Sequence, residues 1–352
     1  MTQTLSRNKM TLERVKYYRH LLGGAMECVQ ARFSKTPKPL CFSLMVTSKC
    51  NCDCDFCFWK HKKGNEDMPL DEIKRLLKEA GEIGYLDSLL WGGEPLLRKD
   101  FTEIAKASHD AGLYTKVATN GWFLETNPDF GKYTDLMFTS IDSIGKAHDD
   151  MRHCPGIFDK VVSGIEYHKV HSPKMRIYVC CTVSSETEYK DLLDVAEFCK
   201  QADILLYFTV NKSNQTLEEA QNVKDMEMET DKLAETFIKI KELKKQGYPI
   251  RNSYYFMDYI INKKNYYECH WPRIATVIYS NGDVLRCYDR KPFISVKGRS
   301  LKDVIKDPVY IDTVNKCKDC KLACVGNYAL DASGLWRLEW PAIKSLMQIA
   351  IT

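Results

Sequence analysis

Between residue 40 and about residue 210 the spacing of apolar positions keeps changing period, and each change marks an element. Dense apolar runs fall at CFSLMVT (41–47), YLDSLLW (85–91), LYTKVAT (113–119), DLMFTSID (135–142), MRIYVCCTV (175–183) and DILLYFTV (203–210). Their length and their β-branched and aromatic content predict strands. Between them, LDEIKRLLKEAGEIG (70–84), KDFTEIAKASHDAG (99–112), GIFDKVVSGIEYHKV (156–170) and EYKDLLDVAEFCKQ (188–201) repeat apolar residues every three or four positions. That stripe predicts amphipathic helices. Strands alternating with helices imply parallel pairing with right-handed crossovers. Six such units predict an α/β fold: a partial (β/α)6 TIM-like barrel. The alternation is weakest at 121–134, where Pro128 interrupts the expected third helix.

The ends of the chain follow other patterns. Residues 10–30 place Leu12, Val15, Tyr18, Leu22, Met26 and Val29 three or four apart, an amphipathic helix, and the prolines at 37 and 39 close a linker after it. NKSNQTLEEAQNVKDMEMET (211–230) is polar and reads as a surface loop, followed by a helical DKLAETFIKIKELKKQG (231–247). Then ATVIYSNGDVLRCYD reads as a hairpin turning at Asn281-Gly282-Asp283. CKDCKLAC (317–324) precedes a second amphipathic tail with Leu335, Leu338, Ile343, Leu346, Met347 and Ala350 on one stripe. The expected organisation is a basic helix and linker (1–39), a barrel (40–248), a small Cys-rich domain (249–330) and an amphipathic segment (331–352).

Charge changes this picture locally. Net charge is +4, too little to argue for nucleic acid as a partner. Yet residues 1–40 carry eight Lys or Arg against two acids, Glu13 and Glu27. Such a basic amphipathic helix suits either an anionic membrane surface or a cap on the barrel, and capping is the expected role. No run of about 18 apolar residues occurs. The opening MTQTLSRNKM lacks the apolar core of a secretory signal, so the expected compartment is the cytoplasm, with peripheral membrane contact open. Fifteen cysteines in such a chain point to ligation rather than disulfides, because cytosolic reductants keep thiols reduced.

The cysteines cluster. Cys50, Cys54 and Cys57 follow the first strand, with Phe56 before the last of them. Three thiolates can hold three irons of a cubane and leave the fourth open. Gly92-Gly93-Glu94-Pro95 follows the second strand, Thr119-Asn120-Gly121 ends the third, and Ser140-Ile141-Asp142 ends the fourth, with His148, Arg152 and GIFDKV beyond. These motifs, in this order at successive strand ends, resemble those of the radical S-adenosylmethionine (SAM) superfamily over roughly residues 41–210. The resemblance implies a 4Fe–4S cluster on Cys50, Cys54 and Cys57, with Cys52 a non-ligand, and SAM at its open iron. It implies that Gly92, Gly93, Glu94 and Pro95 border the SAM amino group, Ser140 the ribose, Arg152 the carboxylate and Val183 the adenine. Phe58 and Trp59 are further candidates to cover the adenine. His148 and Asp142 receive no role.

Further on, Cys269 and Cys287, with Gly282 between them, then Cys317, Cys320 and Cys324, resemble a twitch or shortened SPASM domain. That resemblance implies one auxiliary 4Fe–4S cluster on Cys269, Cys287, Cys317 and Cys320, with Cys324 competing for the last place. A tetrahedral zinc held by four cysteines fits the same spacings. Cys28, Cys41, Cys154, Cys180, Cys181 and Cys199 read as buried residues without partners. The implied activity is reductive cleavage of SAM to a 5′-deoxyadenosyl radical that takes a hydrogen atom from a lipid, a peptide or another small substrate. A ferredoxin or flavodoxin is the expected reductant. The competing class is a non-catalytic iron–sulfur or zinc protein, a carrier or scaffold, and the GGEP turn argues against it. No deprotonating residue stands out: Tyr254, Tyr255, Asp258 and Arg286 lie near the expected domain junction.

Overall fold

The computed structural model describes residues 12–34, 36–57, 66–211, 226–263, 267–287, 291–316, 319–320 and 327–351. Helix α1 (Leu12–Ala31) leads to β1 (Cys41–Thr47), and the expected alternation follows. It runs through α2 (Leu70–Ile83), β2 (Asp87–Gly92), α3 (Phe101–Asp110), β3 (Tyr114–Thr119), β4 (Leu136–Ser140), α4 (Lys146–Arg152), α5 (Ile157–His171), β5 (Arg176–Val183), α6 (Tyr189–Gln201) and β6 (Leu205–Val210). Between β3 and β4 a 3₁₀ turn, Pro128–Tyr133, replaces the missing helix. Proline is tolerated only in such a first turn. The remainder comprises α7 (Thr230–Lys245), α8 (Tyr254–Ile261), β7 (Tyr267–Glu268), α9 (Trp271–Ile274), β8 (Ala275–Ile278), β9 (Asp283–Leu285) and β10 (Pro292–Ser295). Then come α10 (Leu301–Lys306), α11 (Pro308–Asn315), β11 (Asp319–Cys320), α12 (Asn327–Trp336) and α13 (Trp340–Ile351).

One sheet runs in the order β10-β9-β8-β1-β2-β3-β4-β5-β6. Strands β1 to β6 are parallel, as expected. The stretch expected as a small Cys-rich domain, 249–330, contributes strands to this same sheet. Strand β8 pairs in parallel with β1, from Cys41↔Ala275 to Leu44↔Ile278, and β9 and β10 add antiparallel strands outside it. The physical reason lies in ATVI (275–278), which is buried at all four positions. A strand apolar on both faces belongs inside a sheet, and β1 would otherwise expose an unpaired edge. The hairpin turn falls where expected, with Gly282 at φ +89°.

Strand parity divides the sheet into two faces. Phe42, Leu44, Val46, Leu90, Val117, Met137 and Val179 point outward into a core shared with Leu76, Leu77, Ile104, Val161 and Leu192 of the helices. Met45, Trp91, Val277 and Tyr279 form one cluster on the inner face, and Tyr114, Leu136, Phe138 and Tyr178 another. At the amino-terminal end of the strands, His20 of α1 stacks on Tyr114 with ring centroids 4.2 Å apart. Its Nε2 lies 3.4 Å from Asp87 Oδ2, and Lys116 Nζ lies 2.8 Å from Asp87 Oδ1. Helix α1 therefore closes this end of the barrel. Its Cys28 and Ala31 pack with Leu335 and Trp336 of α12, so both ends of the chain share one small core. Among the described residues no helix is long and apolar enough to cross a membrane.

Candidate active site at the carboxyl ends of the strands

The register of β1 with β2 shifts between Met45 and Thr47, and the irregularity turns the chain into the cysteine loop. Cys50 and Cys57 are half-buried there and Cys54 is buried. The Cys52 amide donates to Cys50 Sγ at 3.4 Å, and the Cys57 amide to the Cys54 carbonyl at 3.1 Å. Hydrogen bonding from Cys52 lowers the Cys50 thiol below its ordinary range and brings Cys54 down to about 7. The same bonds, to Cys50 and then Cys54, push Cys52 well up. Thiolates at Cys50 and Cys54 are the ionisation state that iron ligation requires.

The glycine turn is pressed onto this loop. A Cβ built on Gly93 would lie 2.3 Å from the Lys49 carbonyl oxygen, and one on Gly92 2.6 Å from that of Thr47. Only glycine allows this approach. The Gly93 amide donates to Thr47 O at 2.9 Å and the Glu94 amide to Lys49 O at 2.8 Å. Pro95 is buried and opens a 3₁₀ turn. Glu94 is wholly buried, and its carboxylate serves three internal donors. Oε1 accepts from the Leu96 amide at 2.9 Å and from Thr119 Oγ1 at 2.7 Å, and Oε2 accepts from the Asn120 amide at 2.6 Å. Burial, outweighing those bonds, pushes it up to about 7. The carboxylate that the resemblance assigns to an ammonium group is thus already tying β2 to β3.

Beyond β4, the Asp142 amide donates to His148 Nδ1 at 3.0 Å, and Asp142 Oδ1 accepts from the Thr182 amide at 2.9 Å. Asp142 Oδ2 receives Arg152 Nε at 2.8 Å and Nη2 at 2.7 Å. Burial acts to raise the Asp142 carboxyl, but Arg152 and His148 hold it below the usual range. Arg152 is itself buried. Its guanidinium covers the Phe56 ring at 5.5 Å, and its carbonyl accepts from the Asp53 amide at 3.2 Å. It joins the cysteine loop to α4. Asp142 and His148, given no role from sequence, are the groups that fix it.

Ser140 ends β4 half-buried on the inner face, paired in register with Cys180. Val183 requires a correction. Parity turns its side chain outward, into the core beneath the helices, and leaves Thr182 on the inner face at that level. Cys154 also differs from expectation. Its sulfur accepts from Asn51 Nδ2 at 3.7 Å and hydrogen-bonds with Cys52, so it belongs beside the cysteine loop. No spacing rule could show this across 103 positions of sequence. Asn120, read as part of a turn, reaches Asn51 Oδ1 at 2.8 Å and Cys52 Sγ at 3.2 Å.

In the second cysteine group, Cys269 is buried and follows β7, whose Tyr267 pairs with Cys320 of β11. Two of the expected ligands are thereby brought within a few residues of one another. Cys287 is half-buried just past β9. Cys317 and Cys324, like Phe58 and Trp59, lie outside the described residues. Tyr255 donates to Glu339 Oε2 at 2.5 Å, and Asp258 pairs with Lys241, so both serve helix packing.

Three loop cysteines beside a close-packed Gly-Gly-Glu turn, at the carboxyl ends of parallel strands, define an α/β barrel protein of the iron–sulfur, SAM-binding class. Residues 44–199 match the Radical SAM superfamily, whose members use a 4Fe–4S cluster and SAM. The chain is 29% identical over 180 residues to the AdoMet-dependent heme synthase of Methanosarcina barkeri, covering 49% of this chain and 50% of that one. It is 25% identical over 195 residues to the PqqA peptide cyclase of Bradyrhizobium diazoefficiens, covering 55% of this chain and 44% of the other. The matches therefore span about half the length of these curated relatives. SuiB of Streptococcus suis, solved bound to S-adenosylmethionine, shares the fold with a TM-score of 0.63 at 15% identity, over 78% of this chain and 68% of SuiB.

Proposed function

We propose that this chain reductively cleaves SAM and abstracts a hydrogen atom from an organic substrate held on the inner face of the barrel. Cys50, Cys54 and Cys57 are the cluster ligands in this reading. A 4Fe–4S cluster bound there supplies the electron that cleaves SAM to methionine and a 5′-deoxyadenosyl radical. The observation that carries the reading is the interlock of three strand ends: Gly92-Gly93 pressed on the cysteine loop, and Glu94 bonded to Thr119 and Asn120. The Gly92–Pro95 turn borders the SAM amino group, with Glu94 holding its shape. Ser140 faces the ribose, and Arg152 steadies the cysteine loop from below.

Toward the carboxyl ends of the strands, the half-buried inner-face positions Leu89, Ala118, Ser140, Cys180, Thr182 and Thr209 are uncharged. The charged residues Asp87, Lys116 and Arg176 lie at the closed end, the first two paired with each other. Such a surface suits an uncharged reacting segment and keeps water from a radical. Similarity to a peptide cyclase favours a peptide substrate. A lipid is the second reading, favoured by exposed Leu22 and Met26 on α1 and Trp340 and Met347 on α13, and vesicle co-sedimentation lost on changing these four to Ser would support it.

Cys269, Cys287, Cys317 and Cys320 hold an auxiliary 4Fe–4S cluster in this reading. Strand β9 runs antiparallel to β8 and so heads toward the amino-terminal end of β1, with Cys287 two residues past its last paired position, Leu285. That is the opposite end of β1 from Cys50, so a substrate on the inner face lies between the two sites. A ferredoxin or flavodoxin is the one-electron donor.

The test is anaerobic reconstitution with iron and sulfide, followed by SAM and dithionite. Wild type is expected to form 5′-deoxyadenosine and to hold about eight irons. The triple variant Cys50→Ala, Cys54→Ala, Cys57→Ala is expected to retain about four irons and no activity. Absence of 5′-deoxyadenosine from cluster-loaded wild type would overturn the proposal.

A further inference from the structure

The Asn120 side chain is buried at the end of β3, and each of its polar atoms has a defined partner. Its Oδ1 accepts the Trp122 amide at 3.0 Å, which fixes the orientation of the carboxamide and aims the NH₂ group at the cysteine loop. That NH₂ has two hydrogens. One meets Asn51 Oδ1 at 2.8 Å. The other faces sulfur, with Cys52 Sγ at 3.2 Å and Cys50 Sγ at 3.9 Å. The Asn120 backbone is pinned as well, through its amide to Glu94 Oε2 at 2.6 Å. Gly121 follows at φ +87°, where a Cβ would strike Val161 Cγ2 at 2.5 Å, so the turn has no room to relax. A linked path runs from the Glu94 carboxylate through the Asn120 backbone to the sulfur of the loop.

We propose that Asn120 is a positioning residue for the iron–sulfur site: it fixes the Cys50–Cys52 segment through Asn51 and donates an N–H to the sulfur lining that segment. This inference rests on the radical SAM reading and deepens it. A hydrogen bond to a ligand sulfur, here the approach to Cys50 Sγ at 3.9 Å, favours the more negative, reduced state of a cluster, so it raises the reduction potential. Glu94 acts one step behind, by holding the turn that aims the carboxamide.

Two variants test it. Asn120→Asp keeps an oxygen for the Trp122 amide and removes the donors. Asn120→Leu removes the donors without adding charge. Each is reconstituted anaerobically beside wild type, and three quantities are measured: iron per chain, the midpoint potential of the Cys50-loop cluster by EPR-monitored titration, and the melting temperature of the apo chain. The auxiliary cysteines are changed to Ala in all samples so that one cluster is read. Both variants are expected to melt within a few degrees of wild type and to show a more negative midpoint, or fewer irons at that site. The N–H contribution, being common to both, appears in the neutral Leu variant as well as in the Asp variant. Wild-type iron content with a wild-type midpoint in Asn120→Leu would overturn the proposal. If Asn120→Leu melts early, Asn120→Asp decides, and full iron at a wild-type midpoint in it overturns the proposal equally. Failure of wild type itself to load a cluster would instead overturn the underlying reading.

Discussion

At the scale of single residues, burial and ionisation decide what the site can do. Burial, with Arg152 adding to it, holds the His148 imidazole down at about 4. His148 Nδ1 lies 3.7 Å from Asp142 Oδ2, but a neutral ring accepting the Asp142 amide makes no ion pair there. A depressed histidine contributes stability above its unfolded value, near 6.5, and loses it as pH falls toward the folded value. The apo chain should therefore lose about 3 kcal/mol from this group between pH 6.5 and 4. The stability difference between wild type and His148→Asn, which keeps an acceptor for the Asp142 amide, should shift by that amount across the range, because the buried Glu94 carboxyl, held up at about 7, contributes an opposite slope to both and cancels in the difference. A second prediction concerns the closed end of the barrel. Lys116→Met leaves the buried Asp87 carboxylate with His20 and the Cys41 thiol but without its lysine, and should destabilise the chain by about 3 kcal/mol in urea unfolding. An unchanged midpoint would mean that the pair contributes nothing. The cysteine loop and the GGEP turn were legible at this scale because each is a local pattern. Asn120, Asp142 and Cys154 were not, because their partners lie 26, 40 and 103 positions away.

At the scale of elements, strand and helix positions followed from period alone, most boundaries lying within two residues of those expected. The apolar runs had no competing pattern, and each helix had one clean stripe. Other features escaped this reading, among them the short helices α4, α8, α10 and α11. Pro128 removed the third helix and left a 3₁₀ turn, which has no period of its own. The outward turn of Val183 escaped because the run places apolar residues on both faces, which hides its parity. MRIYVCCTV alternates half-buried and buried positions only once folded. The element that matters most is the Gly92-Gly93 turn, where two loops touch backbone to backbone. Gly93→Ala puts a carbon 2.3 Å from Lys49 O and forces the turn off the cysteine loop. Strain of this kind costs about 1–3 kcal/mol. A lower apo melting temperature together with reduced iron at the Cys50 loop is expected by calorimetry and iron analysis. Wild-type values for both would show that the contact is dispensable.

At the scale of the whole molecule, the sheet is larger than the strand count of the barrel suggested, because β8 joins the free edge of β1 and carries β9 and β10 with it. Local pattern could identify that hairpin but not its docking site, since any apolar strand can pair with any open edge. The consequence is one continuous inner face, closed at one end by α1 and bordered at the other by the cysteine loop. This places Cys287, just past β9, on the same sheet as the first group, while Cys269 and Cys320 belong to the separate β7–β11 pair. Because Cys269 stands next to the β7–β11 pair, loss of a second cluster should loosen that pair. Changing Cys269 and Cys287 to Ala should lower iron to about four per chain, leave 5′-deoxyadenosine formation measurable, and increase hydrogen exchange at residues 267–268. The central claim concerns the other end, where one iron must stay open to SAM. Its most direct test is the EPR spectrum of the dithionite-reduced chain carrying the Cys269→Ala and Cys287→Ala changes, recorded with and without SAM. The account predicts a reduced 4Fe–4S signal whose g-values shift when SAM is added. A signal indifferent to SAM, or none at all from iron-loaded protein, would contradict it.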